Sequence, residues 1–465
     1  MDAVAGSSAA LVGRADELAR LEAALARAQR GSAAAVFVAG EAGVGKTRLL
    51  CEVERRAREH GLRAVRGECT AFPGGAPYAP VVDALRTLAR DLGPAAFDEL
   101  VGAARPALAR ILPELGAAEA GAVGDGALAR ARLFRVLRVL LDRAAVDAPL
   151  VLVLEDLQWA DPSTLAFLAS LLSRLRDQRL LLVCTYRGDE VHRRHRLRPF
   201  LATVHRDGAA ERLELGGLSP EALAAHVAAI LGGPTESRVL ARLHARSGGN
   251  PFFAEELLAA GAPCRCLREV LGARLARLPD DARAVLRVAA TAGREPGDRL
   301  VAGAAAVPEA ALGSAVAEGV LTAQAGEYAF RHALLREAAA ADLLPGERAA
   351  VHIALARALR DDPRLGRDAP AAQLAHHWTA AHRLPEALAA SVHAGLEAER
   401  MLAVAEAAQH FELALEIWDL VEDAEALSPL PFAAVVAHAA RDAELAGEHH
   451  RAATLDRAAQ RLGLV

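Results

Sequence analysis

The octapeptide Gly40-Glu41-Ala42-Gly43-Val44-Gly45-Lys46-Thr47 lies between an apolar run, Ala34–Ala39, and an amphipathic stretch that continues to His60. No other segment constrains the fold as tightly. An apolar run of strand length, a glycine-rich turn and a helical period read as strand, loop, helix. The spacing satisfies G-x-x-x-x-G-K-[ST] in full, the pattern of a loop that cradles phosphates. Each residue type has a physical reason to be there. Glycines let the backbone bend until its N–H groups point inward, and the helix that follows presents the positive end of its dipole. Lys46 is expected to reach the β- and γ-phosphate oxygens of a nucleotide, and the Thr47 hydroxyl to ligate Mg²⁺.

Composition strengthens this reading at one residue. Of 54 basic side chains, all but Lys46 are arginine, and Asn250 is the only asparagine. Where the chain as a whole excludes a residue type, a single survivor marks a place where substitution fails. A phosphate-binding lysine is such a place, because a compact ammonium acts as a point charge that a planar guanidinium does not replace.

With 465 residues the chain is too long for one core, and 53% hydrophobic with 24% charged residues excludes wholesale disorder. A net charge of −5 provides no global basic field for nucleic acid or an anionic membrane. The apolar runs, such as Leu150–Leu154 and Leu180–Cys184, are strand-length, and the first residues have no signal-peptide pattern, so a cytoplasmic chain is expected. Cys264 and Cys266 are close in sequence, but no second pair or nearby histidine completes a zinc pattern.

Strands at Ala34–Ala39, Arg63–Cys69, Leu150–Leu154, Leu180–Thr185 and Arg212–Leu215 alternate with helical stretches, which predicts a parallel sheet covered on both faces. Residues 1–10 read as a loose tail and 11–216 as this α/β unit. Residues 217–264 read as a helical lid, and 265–345 as short helices with a hairpin around Gly326, the pattern of a winged helix. Residues 346–465 are Ala-rich and helical. Ala407, Phe411 and Ala414 keep the small–large–small spacing of a tetratricopeptide-like hairpin, with Gly395 where such a repeat turns tightly.

Two further sites belong with the phosphate loop. Val151–Leu154 is an apolar strand that runs into Glu155 and Asp156, the acids a nucleoside triphosphatase needs to hold its metal and orient water. The residues themselves leave open which acid does which. Asp161-Pro162 starts the next helix as N-cap and first-turn residue. Arg187 follows the strand Leu180–Thr185, at the end of a parallel strand where ligands of such sheets bind, and is expected to detect the γ-phosphate.

These motifs, together with Val12-Gly13-Arg14 and Glu17, Pro77-Tyr78, the run 154–161 (LEDLQWAD), Gly249-Asn250-Pro251-Phe252-Phe253 and Phe330-Arg331-His332, resemble the signal-transducing ATPases with numerous domains. More narrowly, they resemble the ATPase half of large LuxR-type (MalT-like) bacterial transcription regulators. The resemblance spans 11–360 well and 370–465 more weakly. It implies an AAA+-like P-loop ATPase, a helical lid, a winged helix and helical repeats, with ATP or ADP and Mg²⁺ bound. It places Pro251 beside the adenine, Arg14 at the border of the same pocket and His332 near the phosphates in a closed state. Glu155 would then hold the metal and Asp156 position the attacking water.

The implied function is a slowly hydrolysing switch, closed with ADP and open with ATP. An inducer on the helical repeats would promote exchange, and the open form would self-associate. Relatives of this type end in a DNA-binding helix-turn-helix, whereas this chain ends within helical repeats, so it is expected to be part of a longer regulator or to signal through partners. The basic run His192–Arg198 lacks interleaved aromatics and reads as a solvated loop. The other reading is a non-hydrolysing, nucleotide-stabilised scaffold. A DNA-loading ATPase would want a basic DNA-facing domain, and none is visible.

Overall fold

Successive residues of a strand point to opposite faces of its sheet, so a strand apolar at every position must be covered twice. The computed structural model describes residues 11–461 apart from 71–74, 118–125, 207, 261–266, 293–297, 306–309, 325–326 and 367–368. The expected tail, the Cys264/Cys266 pair and Gly326 fall outside the described residues. Among these, β1 (Ala34–Ala39), β2 (Arg63–Glu68), β3 (Leu150–Glu155), β4 (Leu180–Tyr186) and β5 (Glu211–Glu214) form a parallel sheet in the order β2-β3-β4-β1-β5. Val36, Val38, Val151, Val153, Leu181 and Val183 pack under the helices Ala15–Gln29 and Lys46–Glu59. Phe37, Leu152, Leu154, Leu182 and Cys184 face the opposite core. The expected double-sided parallel sheet is therefore present, with β3 and β4 each one residue longer than read, β2 one shorter and β5 shifted one residue toward the N-terminus.

That second core continues into the C-terminal half. It includes Tyr78, Leu85 and Phe167 from the sheet unit together with Leu388, Phe411 and Trp418. The helices Pro370–Ala380, Leu384–Arg400, Val404–Trp418, Phe432–Ala446 and His449–Arg461 pack each on the next, and Val404–Trp418 also packs on Pro162–Leu172 of the sheet unit. Close approach is built into the array at Gly395, where a Cβ would lie 2.6 Å from the Phe411 ring.

Between sheet unit and array are two smaller units. Helices Pro220–Leu231, Ser237–Ser247 and Pro251–Ala260 form the first, around Leu223, Val227 and Leu257. The second has its own core of Val285, Leu286, Leu321, Phe330 and Leu335. It combines the helices Leu267–Ala276, Asp280–Ala292, Asp298–Ala305, Ala310–Ala317 and Ala333–Ala341 with an antiparallel hairpin, β6 (Leu321–Gln324) and β7 (Glu327–Phe330). The sequence reading leaves out the short helices Pro94–Val101 and Arg105–Leu108, and it runs the basic loop on to Arg198, although Leu197 and Arg198 begin the helix Leu197–Arg206.

Candidate functional site

The loop between β1 and the helix Lys46–Glu59 turns through Gly43 and Gly45 at φ 83° and 104°, conformations that L side chains rarely adopt. At Gly43 there is also no room: a Cβ would lie 2.9 Å from Asn250 Oδ1 and 3.0 Å from Phe252 Cβ. Lys46 Nζ donates to the carbonyls of Gly40 (2.7 Å) and Glu41 (2.9 Å), so the ammonium is folded over the loop it follows. Burial lowers its basicity, and the nearby charge of Asp156 partly restores it.

Three other carbonyls of the loop accept hydrogen bonds from outside it. Val44 O accepts from Arg14 Nη2 at 3.0 Å, and the same nitrogen reaches Gly216 O at 2.6 Å. Arg14 is buried and its basicity is lowered by that burial, against the opposing charge of Glu17. Ala42 O accepts from Asn250 Nδ2 at 2.8 Å. Gly43 O accepts from the N–H of Phe252, one residue into the helix that begins with Pro251. The loop is thus clasped by side chains and backbone from residues 250–252, more than two hundred positions away.

Thr47 and Glu155 come together at the ends of their elements: Thr47 Oγ1 donates to Glu155 Oε2 at 2.6 Å. The other carboxylate oxygen accepts from Arg66 Nη1, which stands on the neighbouring strand β2 and also pairs with Glu54. Burial opposes the charge on Arg66, but Glu155 and Glu54 outweigh it and its pKa moves upward. Asp156 follows in the left-handed region at φ 56°, where only a short polar side chain is commonly tolerated. Its N–H donates to Thr185 Oγ1, and Gln158 Nε2 donates to its carboxylate at 3.2 Å. Asp161 caps the helix Pro162–Leu172 as the sequence indicates, accepting from Thr164 N.

Thr47 Oγ1 and Glu155 Oε2 are two hard oxygen donors in contact, beside an acid that follows at the strand end. That donor set suits Mg²⁺, which takes one or two protein oxygens and completes its shell from phosphates and water. Among the described residues, Thr47 and Glu155, with Asp156 next in the chain, are candidates to hold it.

Arg187 lies just past β4. Its N–H donates to Gln158 Oε1, its guanidinium stands 4.6 Å from the Trp159 ring centroid, and Nη1 pairs with Glu190 (2.5 Å) and Glu337 (3.0 Å). Burial works against its charge, yet the two carboxylates, Glu337 first, raise its pKa. Glu337 belongs to the helix Ala333–Ala341 of the hairpin-containing unit. His332 caps that helix through Nδ1 and stacks on Phe252, ring centroids 3.9 Å apart and 14° from parallel.

Lys46, Thr47, Glu155 and Asp156 therefore share the C-terminal end of the sheet, and Arg14 and Asn250 brace the loop. Pro251 opens the bracing helix, and His332 reaches the loop through Phe252. Reading the sequence did not single out Asn250 as a loop clasp, Arg66 as the partner of Glu155, or Trp159 and Glu337 as partners of Arg187. The uniqueness of Asn250 was the available signal for the first.

An uncharacterized protein of Rhizobium meliloti (strain 1021) is 27% identical over 457 residues, a match that takes in 88% of this chain. The chain spans 42% of that relative's length. In fold, the chain is similar to a Signal Transduction ATPase with Numerous Domains protein with a tetratricopeptide repeat sensor from Pyrococcus horikoshii. That similarity has a TM-score of 0.52 at 14% identity, covering 98% of this chain and 66% of the other. A Walker-type ATPase of Pyrococcus abyssi aligns over 71% of this chain and 96% of its own at 13% identity, with a TM-score of 0.37. Residues 10–183, which hold the phosphate loop and the strand-end acids, match the family described as AAA ATPase domain.

Proposed function

We propose that the chain is a nucleotide-operated signalling switch that binds ATP and ADP at 40–47 and hydrolyses ATP slowly. The observation that carries this reading is the convergence of separate units on one loop. Asn250 and Phe252 hold Ala42 and Gly43, His332 stacks on Phe252, and Glu337 pairs with Arg187. A ligand bound there shifts the arrangement of those units by its differential affinity for each state, and by no more.

In this reading the loop amides and Lys46 bind the phosphates. Arg14 and Pro251 border the base, and Thr47 with Glu155 holds Mg²⁺. When bound, the ion neutralises charge on the β- and γ-phosphate oxygens. Asp156, steadied by Gln158, orients the attacking water. Arg187 senses the γ-phosphate after leaving Glu337, and His332 belongs to the ADP-closed state. The hairpin-containing unit at 265–345 acts as a winged-helix switch element, and the helices at 346–465 as tetratricopeptide-like repeats that receive an inducer. Release of the closed arrangement allows self-association. The sequence motifs favour a bacterial transcription regulator of LuxR type, cytoplasmic, with output through partners or through further domains.

A second reading has its own support. Arg66 occupies one oxygen of Glu155 and Thr47 the other. A guanidinium competing with Mg²⁺ for that carboxylate favours a scaffold that holds nucleotide without turning it over. A phosphate-release assay on the purified chain with ATP and Mg²⁺ decides between the two. Turnover that vanishes in Asp156→Asn supports the switch, and bound nucleotide without turnover supports the scaffold.

A further inference from the structure

Far from the phosphate loop, three imidazoles meet inside the molecule. His352 stands on the helix Pro345–Asp361, and His376 and His377 are adjacent on Pro370–Ala380. One ring nitrogen from each of the three lies within 4.8 Å of those offered by the other two. His352 Nδ1 and His377 Nδ1 are 2.9 Å apart, and the ring centroids of the three pairs are 5.1–5.5 Å apart. His377 is fully buried, His352 nearly so, and His376 is partly open to solvent.

We infer that His352, His376 and His377 form a binding site for a divalent transition-metal ion of the zinc class. A Zn–N bond is about 2.0–2.1 Å, so nitrogens sharing one tetrahedral ion stand roughly 3.3 Å apart. The two Nδ1 atoms need to separate by a few tenths of an ångström, and His376 needs to swing inward. The donors are nitrogen only, which selects Zn²⁺, Co²⁺ or Ni²⁺ over the oxygen-seeking Mg²⁺ of the phosphate site. Burial holds the rings in the neutral form a metal requires: His352 and His376 are pushed down to about 4 and His377 to about 2. Arg348, one turn before His352, adds an opposing positive charge, but its guanidinium donates to Ala340 O at 3.2 Å. The partly open His376 leaves a side for water as a fourth ligand.

Placement gives the site a consequence. The helix Pro345–Asp361 packs on the hairpin-containing unit through Leu355 and Leu359, while its Ala356 and the neighbouring Ala372 and Ala375 join the core shared by sheet and array. An ion bridging His352 to His376 and His377 would pin that unit to the first helix of the array. This goes beyond the nucleotide switch and does not depend on it.

The test uses the full chain, stripped with chelator and titrated with Co²⁺ as a spectroscopic stand-in for Zn²⁺. One Co²⁺ per chain is expected, with visible d–d bands and no thiolate charge-transfer band, and with competition by Zn²⁺ but not Mg²⁺. His376→Gln and His352→Gln should each weaken uptake at least tenfold while circular dichroism stays unchanged. A Cys264→Ser, Cys266→Ser double variant should bind as the wild type does. Absence of stoichiometric uptake in the wild type overturns the proposal. So does uptake unchanged in both histidine variants, or uptake lost with the two cysteines.

Discussion

The Arg187 guanidinium lies 3.0 Å from the Glu337 carboxylate, 150 residues later in the chain. The arginine that follows the C-terminal end of β4, proposed above to sense a γ-phosphate, is thereby held by a helix of another unit. Glu337 is partly exposed, so its removal should not disturb a core. Glu337→Gln should raise affinity for a non-hydrolysable ATP analogue several-fold and leave ADP affinity nearly unchanged. Calorimetric titration of both nucleotides measures the ratio, and an unchanged ratio would detach Arg187 from γ-phosphate sensing.

Lys46 contacts the carbonyls of Gly40 and Glu41 and, in the proposed function, the phosphates of the nucleotide. Charge-assisted hydrogen bonds contribute about 1.5–3 kcal/mol each, so Lys46→Ala should lower nucleotide affinity by roughly 100-fold or more. Helical content should be retained. Affinity within a few-fold of wild type, by fluorescent-nucleotide titration, would move the binding site elsewhere.

The two acids should behave differently when neutralised. Asn tolerates the left-handed backbone of residue 156 as well as Asp does, so Asp156→Asn should fold normally, keep nucleotide and lose hydrolysis by about 10²–10⁴-fold. Glu155→Gln should also lose hydrolysis but melt at a lower temperature, because it removes one of the two carboxylates that pair with the part-buried Arg66 guanidinium. Equal melting temperatures for the two variants would mean that the Arg66 pair contributes little.

Much of this was legible in the sequence, for reasons that differ by residue. The strands β1, β3 and β4 are nearly continuous apolar runs, and the phosphate loop is a local pattern of fixed spacing. Local patterns survive reading one residue at a time. The clasp by Asn250, the Arg66–Glu155 pair and the Glu337–Arg187 pair join distant parts of the chain, and no periodicity encodes such pairings. His352 and His376-His377 likewise have a spacing that matches no local ligand motif, so only packing of their two helices brings them together. Residues Pro94–Leu108 were missed because their helices are short and broken by Gly102 and Pro106, which hide the helical period.

Exchange of backbone amides should report the coupling between units. ADP, more than an ATP analogue, should slow hydrogen exchange in 249–257 and 328–342 as well as at 40–47, and His332→Ala should weaken ADP retention by about 5–150-fold, the range of a typical allosteric coupling. Protection confined to the loop would remove the hairpin-containing unit from the switch and leave nucleotide binding intact.

The docking of the array on the sheet unit should weaken with rising pH. Glu406 accepts from both the N–H and the hydroxyl of Ser163 inside that contact. Burial, and then the charge of Asp161, push its pKa from an ordinary 4.5 up to about 8. Between those values the folded chain holds a proton that the unfolded chain has lost, so this stability is present at low pH and disappears as pH approaches 8. Buried histidines act in the opposite sense below their ordinary 6.5: His352, His376 and His410 at about 4 and His377 at about 2. Above pH 6.5 the carboxyl contribution remains, joined by Asp442, also raised to about 8 by burial and Glu399. Thermal unfolding from pH 6.5 to 8 should show a falling midpoint in the wild type and a flatter profile in Glu406→Gln. Identical slopes would exclude Glu406 as a source of the dependence.

The core that runs from Phe167 beneath the sheet to Phe411 in the array has an evolutionary cost. A sensor joined by a loose linker is a cartridge: recombination can swap it, and the enzyme beneath keeps folding. Here the array contributes side chains to the same apolar interior as the sheet, so a foreign array would arrive with mismatched shapes against the helix Pro162–Leu172. If the array receives an inducer, as proposed above, changes of its specificity must then accumulate on the outer faces of its own helices, by point substitution and not by exchange of parts.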